Sequence, residues 1–527
     1  MYGEPIPGRI ANPHTPTRGH FLRSHHDPSH YPIHGGLSDV VVIGGGVSGL
    51  CACWRLRRAG VEHIHLLELE SQLGGTSCSG RLGGIVFPWG AHYINIPPPE
   101  ADCIHVLLRD LGVIEGYDAA GRPLVPPEHL LRWPRERLHD GQAWRPELDP
   151  FHDAPTGELE TFQRFEDDML RWALYRGRDD RRAFAMPLAY SSADSAARQL
   201  DTITMGEYLR NRGWRSPRLD WLVNWACRDD YGATMDQVSA WAGIHYHACR
   251  FYDRRVADQY PADTLTWPEG NGFLVSRLAD GLAACDIHEH TAAVATRQVR
   301  AGVEVTCLDL VTGRCQRLRA RAAIYAGKLH GAPHVVSGMP APQARAMGQA
   351  PYSAWLVAAI HLSARPDRPV LEASWDNVVV DSPSVGYVSA RHQEGGGDTD
   401  DVLIYYLPFV RDLTRARMEL RDRDQSFWAQ RIAADLERVH PGIRQAIERI
   451  DIWRWGHAMP QPVPGALWGE AALLRQRPCG RVAFASCDAT GLPLFEEAVF
   501  AGVRAAEQCL SWLGVEDATM LGGLPRG

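Results

Sequence analysis

Lysine is almost missing from this chain. Of the 55 basic residues among 527, Lys328 alone is lysine and the rest are arginine. Any chemistry that needs a primary side-chain amine must use that one position. Long apolar runs are missing too. The longest, such as Ala354–Ile360, fall far short of the roughly 20 residues that span a bilayer, so no transmembrane segment is expected. The opening stretch MYGEPIPGRIANPHTP has no basic run followed by an apolar one, and no secretory leader is read there. Paired cysteines are absent. The twelve cysteines are scattered, with no Cys-x-x-Cys and no zinc-type spacing. Cys51 and Cys53 project apart from a predicted helix. The expectation is a cytoplasmic protein with buried, reduced thiols and no metal site. A net charge of −8 without a long basic cluster argues against nucleic acid as the main partner.

What remains is globular in composition, with 45% hydrophobic and 22% charged residues. That excludes a largely disordered chain, a collagen-like fibre and a disulfide-stapled miniprotein. At about 100–200 residues per domain, the length allows two to four domain-equivalents. Residues 1–37 hold six prolines and six histidines and read as an irregular arm without helix or strand of its own. Order begins at Asp39. VVVIGGGVSGLCACWRLRRAG reads as a buried strand, a glycine turn and a helix, and HIHLLELE as a second strand. This β-α-β unit has the size of a nucleotide-binding half. Residues 101–260 read mainly as helices, IHEHTAAVATRQVRAGVEVTCLD and RARAAIYAG as strands of one sheet, and AWLVAAIHL and NVVVDSPSVGYVSA as strands of another. HQEGGGDTD at 392–400 reads as a surface loop, and no internal repeat is found.

The chemistry begins at Gly44-x-Gly46-x-x-Gly49, which follows an apolar strand and opens a helix. Gly44 permits the tight turn, Gly46 lets backbone approach a pyrophosphate, and Gly49 lets helix and strand pack closely. Phosphates there face the amides of the first helical turn, including that of Ser48. Glu68 ends the second strand, where an acid accepts hydrogen bonds from the ribose hydroxyls of adenosine and repels a 2′-phosphate, which disfavours NADP. Glu70 points the same way in a strand and competes for the role; the residues that follow Glu68 favour Glu68.

ELESQLGGTS resembles the segment that follows the dinucleotide turn in the flavin amine oxidase superfamily, which includes monoamine and polyamine oxidases, protoporphyrinogen oxidase and phytoene desaturases. Glu68 matches the ribose-binding acid, and Gly74 and Gly75 match the double glycine. VFPWGAHYI resembles the next element, with Gly90 and Ala91 at the turn that passes the flavin ring. TWPEGNGFLVSRLADGL resembles the segment that re-enters the FAD domain, and IHEHTAAVATRQ the strand whose backbone meets the adenine, at Val294. RVAFASCDATGLPLFEEAVFAGVRAAEQ resembles the C-terminal flavin motif, where Asp488 matches an acid near the ribityl and pyrophosphate and the turn through Phe495 matches amides facing the flavin N1–C2=O edge.

The resemblance implies an α/β protein with a Rossmann-like (GR2-type) FAD-binding domain interleaved with an α+β substrate domain. The FAD domain would take 38–100, 265–330 and 450–515, and the substrate domain 101–264 and 331–449. Two departures stand out. The strand matching the one that carries a lysine near flavin N5 in family oxidases is SAWLVAAIHL, which has Trp355 and no lysine. The flavin-linking cysteine motif has no match, so FAD is expected to be bound non-covalently. WRWGHAMPQPVPG resembles the proline-containing segment of desaturases and protoporphyrinogen oxidase, which places Trp455 and His457 beside the flavin. RDDYGATMDQVSAWAGIHYHACRFY brings together Asp229, Asp230, Tyr231, Trp241, His245, Tyr246, His247 and Tyr252, from which Tyr231 is the candidate substrate-cavity residue; His245 and His247 do not share a helix face and are poor joint metal ligands. The expected function is two-electron oxidation of a small or lipophilic organic molecule, amine oxidase- or desaturase-like, with oxygen or another acceptor. A flavin-dependent isomerase or a non-catalytic FAD-binding redox protein is the alternative. Oligomeric state is not readable.

Overall fold

The computed structural model describes residues 5–23, 32–249, 264–363, 374–395 and 400–522. Tyr252 and residues 396–399 of the glycine-rich loop lie outside them.

Val40, Val41 and Val42 carry side chains to both faces of their strand, and all three are fully buried. Such a strand belongs in the middle of a parallel sheet covered on both sides. That is where Ile33–Ile43 lies, between Ile64–Leu67 and Cys315–Tyr325, parallel to both. The short strand Asp286–His288 extends the sheet beyond Ile64–Leu67. On the other side, Cys315–Tyr325 is shared. Its first half pairs antiparallel with Gly302–Asp309, which continues into Thr291–Val299, and its last residues pair parallel with Val482–Phe484. The helices Val47–Arg58 and Phe495–Leu513 pack against this sheet and each other. Their contact is close at Gly502, where a Cβ would meet the Ser48 carbonyl oxygen at 2.4 Å. Arg55, fully buried on the first of these helices, holds the chain end by ion pairs to Glu507 (3.2 Å) and Asp517 (2.7 Å).

A second seven-stranded sheet runs Ile447–Trp455, Ala354–Leu362, Asp401–Phe409, Gly386–Ser389, Asp376–Val379, Glu136–His139 and Trp144–Pro146. All its pairs are antiparallel except that of Asp376–Val379 with Glu136–His139. Two differences from the sequence reading follow. The stretch 101–249, read as mainly helical, also supplies four short strands, of which Glu136–His139 and Trp144–Pro146 form the edge of this sheet. Residues 450–455, expected in the FAD domain, pair with Ala354–Leu362 in this second sheet, so the chain returns to the first only after Trp455. Helices Thr156–Leu174, Pro217–Tyr231 and Ala240–Ala248 build a separate apolar cluster.

The N-terminal stretch departs from expectation as well. It carries a helix, Thr15–Phe21, with proline in its first turn. Before the helix it lies along the exposed side of Ile447–Trp455. Ala11 N–H donates to the Ile452 carbonyl (2.7 Å), Ile452 N–H to Arg9 O (2.9 Å), and the Asn12 amide to Arg454 O (2.9 Å). An open strand edge is thereby covered. The twelve cysteines are free thiols, ten of them buried. Among the described residues no helix is long and apolar enough to cross a membrane.

Candidate functional site

The first strand ends at Ile43 and the chain reverses in the glycine turn. Gly44 takes a φ of +109° and its N–H donates to Leu67 O at 2.8 Å. A Cβ at Gly44 would come within 3.0 Å of the Ala326–Gly327 backbone, and one at Gly49 would strike the Gly44 carbonyl at 1.9 Å. Those two glycines are thus required by the turn and by helix–strand contact. At Gly46 the geometry differs. A Cβ there would point into open space, its nearest neighbour being the Gly75 Cα at 4.0 Å. The double glycine closes on the turn from the far side, with Gly74 N–H donating to Gly45 O at 2.8 Å. The result is a bare backbone cradle at the start of the helix Val47–Arg58, with Ser48 in its first turn. This is a fit for the phosphates of a dinucleotide.

Glu68 lies beside the cradle, 8% exposed. Its carboxylate accepts from Gly45 N–H (2.7 Å) and Glu70 N–H (2.8 Å). Burial raises its pKa, and those backbone amides oppose the shift. Glu70 has another partner: Arg18 of the N-terminal helix, at 2.9 Å. Glu68, and not Glu70, therefore faces the cavity.

That cavity has a volume of about 900 Å³ and is continuous. Gly44, Gly46, Ser48, Glu68, Gly74 and Gly75 line one end. Gly90 and Ala91 line its middle, fixed against the double-glycine segment by the hydrogen bond from Ala91 N–H to Thr76 O (2.9 Å). Phe495 lines it too, at the start of the 19-residue helix Phe495–Leu513, with Glu496 in the same turn. A helix N-terminus of this length presents partial positive charge to the cavity.

Three expected residues sit elsewhere. Val294 is buried at an irregularity between Ala293 and Ala295, and the wall is made by Thr291, Ala292 and Ala293 just before it. Asp488 lies one layer behind the wall, which Ser486 and Cys487 form. Its Oδ2 accepts from Leu329 N–H (3.1 Å) and the Tyr352 hydroxyl (2.6 Å), and Oδ1 stands 3.6 Å from the Lys328 ammonium. Tyr231 is fully buried in the helical cluster and donates to Ala242 O at 2.8 Å, because its turn of helix faces Ala240–Ala248. Its neighbours Asp229 and Asp230 reach the cavity instead. Trp241 and His245 stack on each other in the same buried cluster (4.9 Å).

Between the two sheets the cavity is walled by aromatic side chains. Trp455 donates its indole N–H to Trp89 O (2.9 Å) and pairs across the sheet with Trp355. His92 stacks on Tyr406 at 4.9 Å, and the Tyr406 hydroxyl donates to Gly90 O (3.1 Å). Burial pushes His92 down to about 4, which leaves it neutral near pH 7. His457 lines a neighbouring wall, stacked on His330 at 4.3 Å. Lys328 donates to Ala458 O (2.8 Å), and Arg417 to Gly456 O (2.8 Å) and Tyr352 O (2.7 Å). The sequence reading missed His92, Tyr406, His330, Tyr352 and Arg417. Two of them carried a local signal: His92 directly follows the Gly90–Ala91 turn, and His330 lies two residues from the singular lysine.

Residues 42–111 match the model of an NAD(P)-binding Rossmann-like domain. No curated protein sequence matches the chain. Solved structures do. Putrescine oxidase bound to putrescine is 17% identical, with a TM-score of 0.66 over 90% of this chain and 99% of its own. Cyclohexylamine oxidase from Brevibacterium oxydans IH-35A is 16% identical, with a TM-score of 0.62 over 91% and 100%. An assigned protoporphyrinogen oxidase from Exiguobacterium sp. 255-15 is 16% identical, with a TM-score of 0.61 over 90% and 100%. The chain has the fold of these oxidases along nine-tenths of its length, with a Rossmann-like α/β unit at its start.

Proposed function

We propose that the protein is an FAD-dependent oxidoreductase that removes two electrons from a small or lipophilic organic substrate, with FAD held non-covalently. One observation carries the reading: a single cavity joins the glycine cradle and Glu68 to the aromatic walls between the sheets. A cofactor lying along it would place its reactive end where a substrate enters. The bare backbone at Gly46 and the first-turn amides of Val47–Arg58 would hold the phosphates. Glu68 would hold the adenosine ribose. The N-terminal turn at Phe495 would face the electron-rich edge of the flavin ring. Flavin, when bound, supplies the hydride acceptor.

The chain's own residues position the substrate and exclude water. Trp355, Tyr406 and Trp455 form apolar walls, and His92, held neutral, adds a polar edge without charge. Asp229 and Asp230 on the same cavity, together with aromatic faces, suit a cationic amine on its way to the ring. The amine oxidases named above support this choice of class. Desaturation or isomerisation of a lipophilic compound is the second reading, favoured by the apolar strand Ala354–Leu362, which has no lysine.

The test is anaerobic mixing of purified holoprotein with pools of primary and secondary amines, and separately with lipophilic alkenes and alkanes. Loss of the yellow flavin absorbance with an amine pool, restored when oxygen is admitted, is the expected result. Bleaching by the lipophilic pool alone would move the assignment to the second reading. Protein that binds no flavin would end both.

A further inference from the structure

The N-terminal stretch 5–23 is fastened at both ends. Near its start, Arg9 stands 3.3 Å from Asp451, and Asn12 exchanges hydrogen bonds with the Arg454 backbone (2.9 and 3.0 Å), all on the second sheet. The helix Thr15–Phe21 then crosses to the first sheet. There Arg18 donates to Glu70 at 2.9 Å and stands 3.4 Å from His290 Nδ1. Glu70 follows Glu68 by two residues and His290 immediately precedes the wall residues Thr291–Ala293, so Arg18 is anchored beside the adenosine end of the cavity. Thr15 and Pro16, between the two fastenings, and Gly19, His20, Leu22 and Arg23, just beyond the second, form part of the cavity wall.

Charge adds a second, independent observation. The cavity wall that Arg23 joins also carries Lys328, His330, Arg417 and His457. Arg417 is held by two backbone carbonyls, which are neutral. Among the described residues neither Arg23 nor Arg417 is in an ion pair, and Lys328 has Asp488 at 3.6 Å. Of these three cations only Lys328 has an ion-pair partner among the described residues. His457 and His330 are pushed down to about 3 and about 4, mainly by burial, with the nearby cations adding to the shift. Gly327, next to Lys328, touches the Gly44 turn, so this positive wall borders the phosphate cradle.

We propose that residues 5–23 are a strap that closes over the bound dinucleotide, pinned by Arg18 to Glu70, with Arg23 adding positive charge on the side of the diphosphate. This rests on the FAD reading above. A strap that must open for exchange limits entry and exit together, whereas an ordinary contact changes exit alone.

The experiment follows free-flavin fluorescence after dilution of the holoprotein, and its quenching when FAD is added back to apoprotein. In Arg18→Ala both release and rebinding accelerate about fivefold, the worth of one partly exposed ion pair, and the dissociation constant stays within about twofold. Arg18→Glu, which sets like charges together, accelerates both further. Arg23→Gln accelerates release alone. Trypsin cuts the wild-type apoprotein after Arg18 or Arg23 faster than the holoprotein. FAD that binds normally but leaves and enters within twofold of the wild-type rates in both Arg18 variants would overturn the strap. Absence of FAD binding in the wild-type protein would overturn the cofactor assignment, and the strap with it.

Discussion

Replacing Glu68 by alanine removes the acid expected to hold the adenosine ribose. Charge-assisted hydrogen bonds of that kind are worth about 1.5–3 kcal/mol, so FAD affinity should fall roughly ten- to hundredfold. The structure adds a further cost. The same carboxylate terminates the N–H groups of Gly45 and Glu70 at 2.7 and 2.8 Å, so the cradle loses support at the same time. Glu70→Ala is the control. It breaks only the pair with Arg18, in which the two side chains are 20% and 25% exposed, and such a pair contributes about 1 kcal/mol or less. Its expected signature is faster exchange of FAD, with a dissociation constant within about threefold of wild type. Both variants are titrated as apoprotein with FAD, with flavin fluorescence as the signal, and each is checked for folding by urea melting. Equal losses of affinity in the two variants would refute the assignment of Glu68 as the ribose acid.

Three further outcomes are expected. Lys328→Met should keep FAD and leave flavin reduction within about tenfold, a barrier change of roughly 1.4 kcal/mol, because the lysine is engaged with Ala458 O and Asp488; a thousandfold loss in stopped-flow reduction with FAD still bound would make it catalytic. Acid precipitation of the holoprotein should release FAD into the supernatant, identified by mass; colour retained in the pellet would show a covalent link. Glu497 is buried and pushed up to about 7 from 4.5, so its folded form keeps a proton that the unfolded chain gives up, and its contribution to stability is full below 4.5 and fades as pH rises through about 7. Glu497→Gln mimics the protonated form; in the apoprotein it should gain up to about 3 kcal/mol relative to wild type between about pH 5 and about pH 8, and a melting-temperature difference that does not change with pH would refute the shift.

The glycine turn was readable because its spacing lies within one short β-α-β stretch, where local spacing and local geometry are the same thing; the Ala326–Gly327 backbone it packs on comes from far along the chain. The choice between Glu68 and Glu70 was only partly so. Strand alternation sends both the same way, and the structure separates them through Arg18, 52 positions upstream. Tyr231 was misplaced for a rotational reason. Successive helical residues turn by about 100°, so Asp229 and Asp230 can reach the cavity while the next side chain is sealed against another helix. His457 and Asp488 were legible through the motifs that hold them, but Tyr352 and Arg417, which join them from distant stretches of chain, do not look unusual beside their own neighbours. The helix Thr15–Phe21 buries no side chain, so it leaves no apolar period to read.

The order in which the chain visits its two sheets has a consequence for how such a protein is built and rebuilt. It passes from the first sheet to the second and back twice, crossing between them four times from Ile33 to Phe484. No single cut separates the two sheets, so neither can be expressed as a free-standing piece and joined end to end with the other. Transplanting the substrate chamber into a relative would mean exchanging two separate inserts at once, roughly 101–264 and 331–455, while the cradle around Gly44 stayed behind. Chemical novelty in this architecture is therefore most accessible by change within the inserts, and recombination breakpoints that respect it come in pairs.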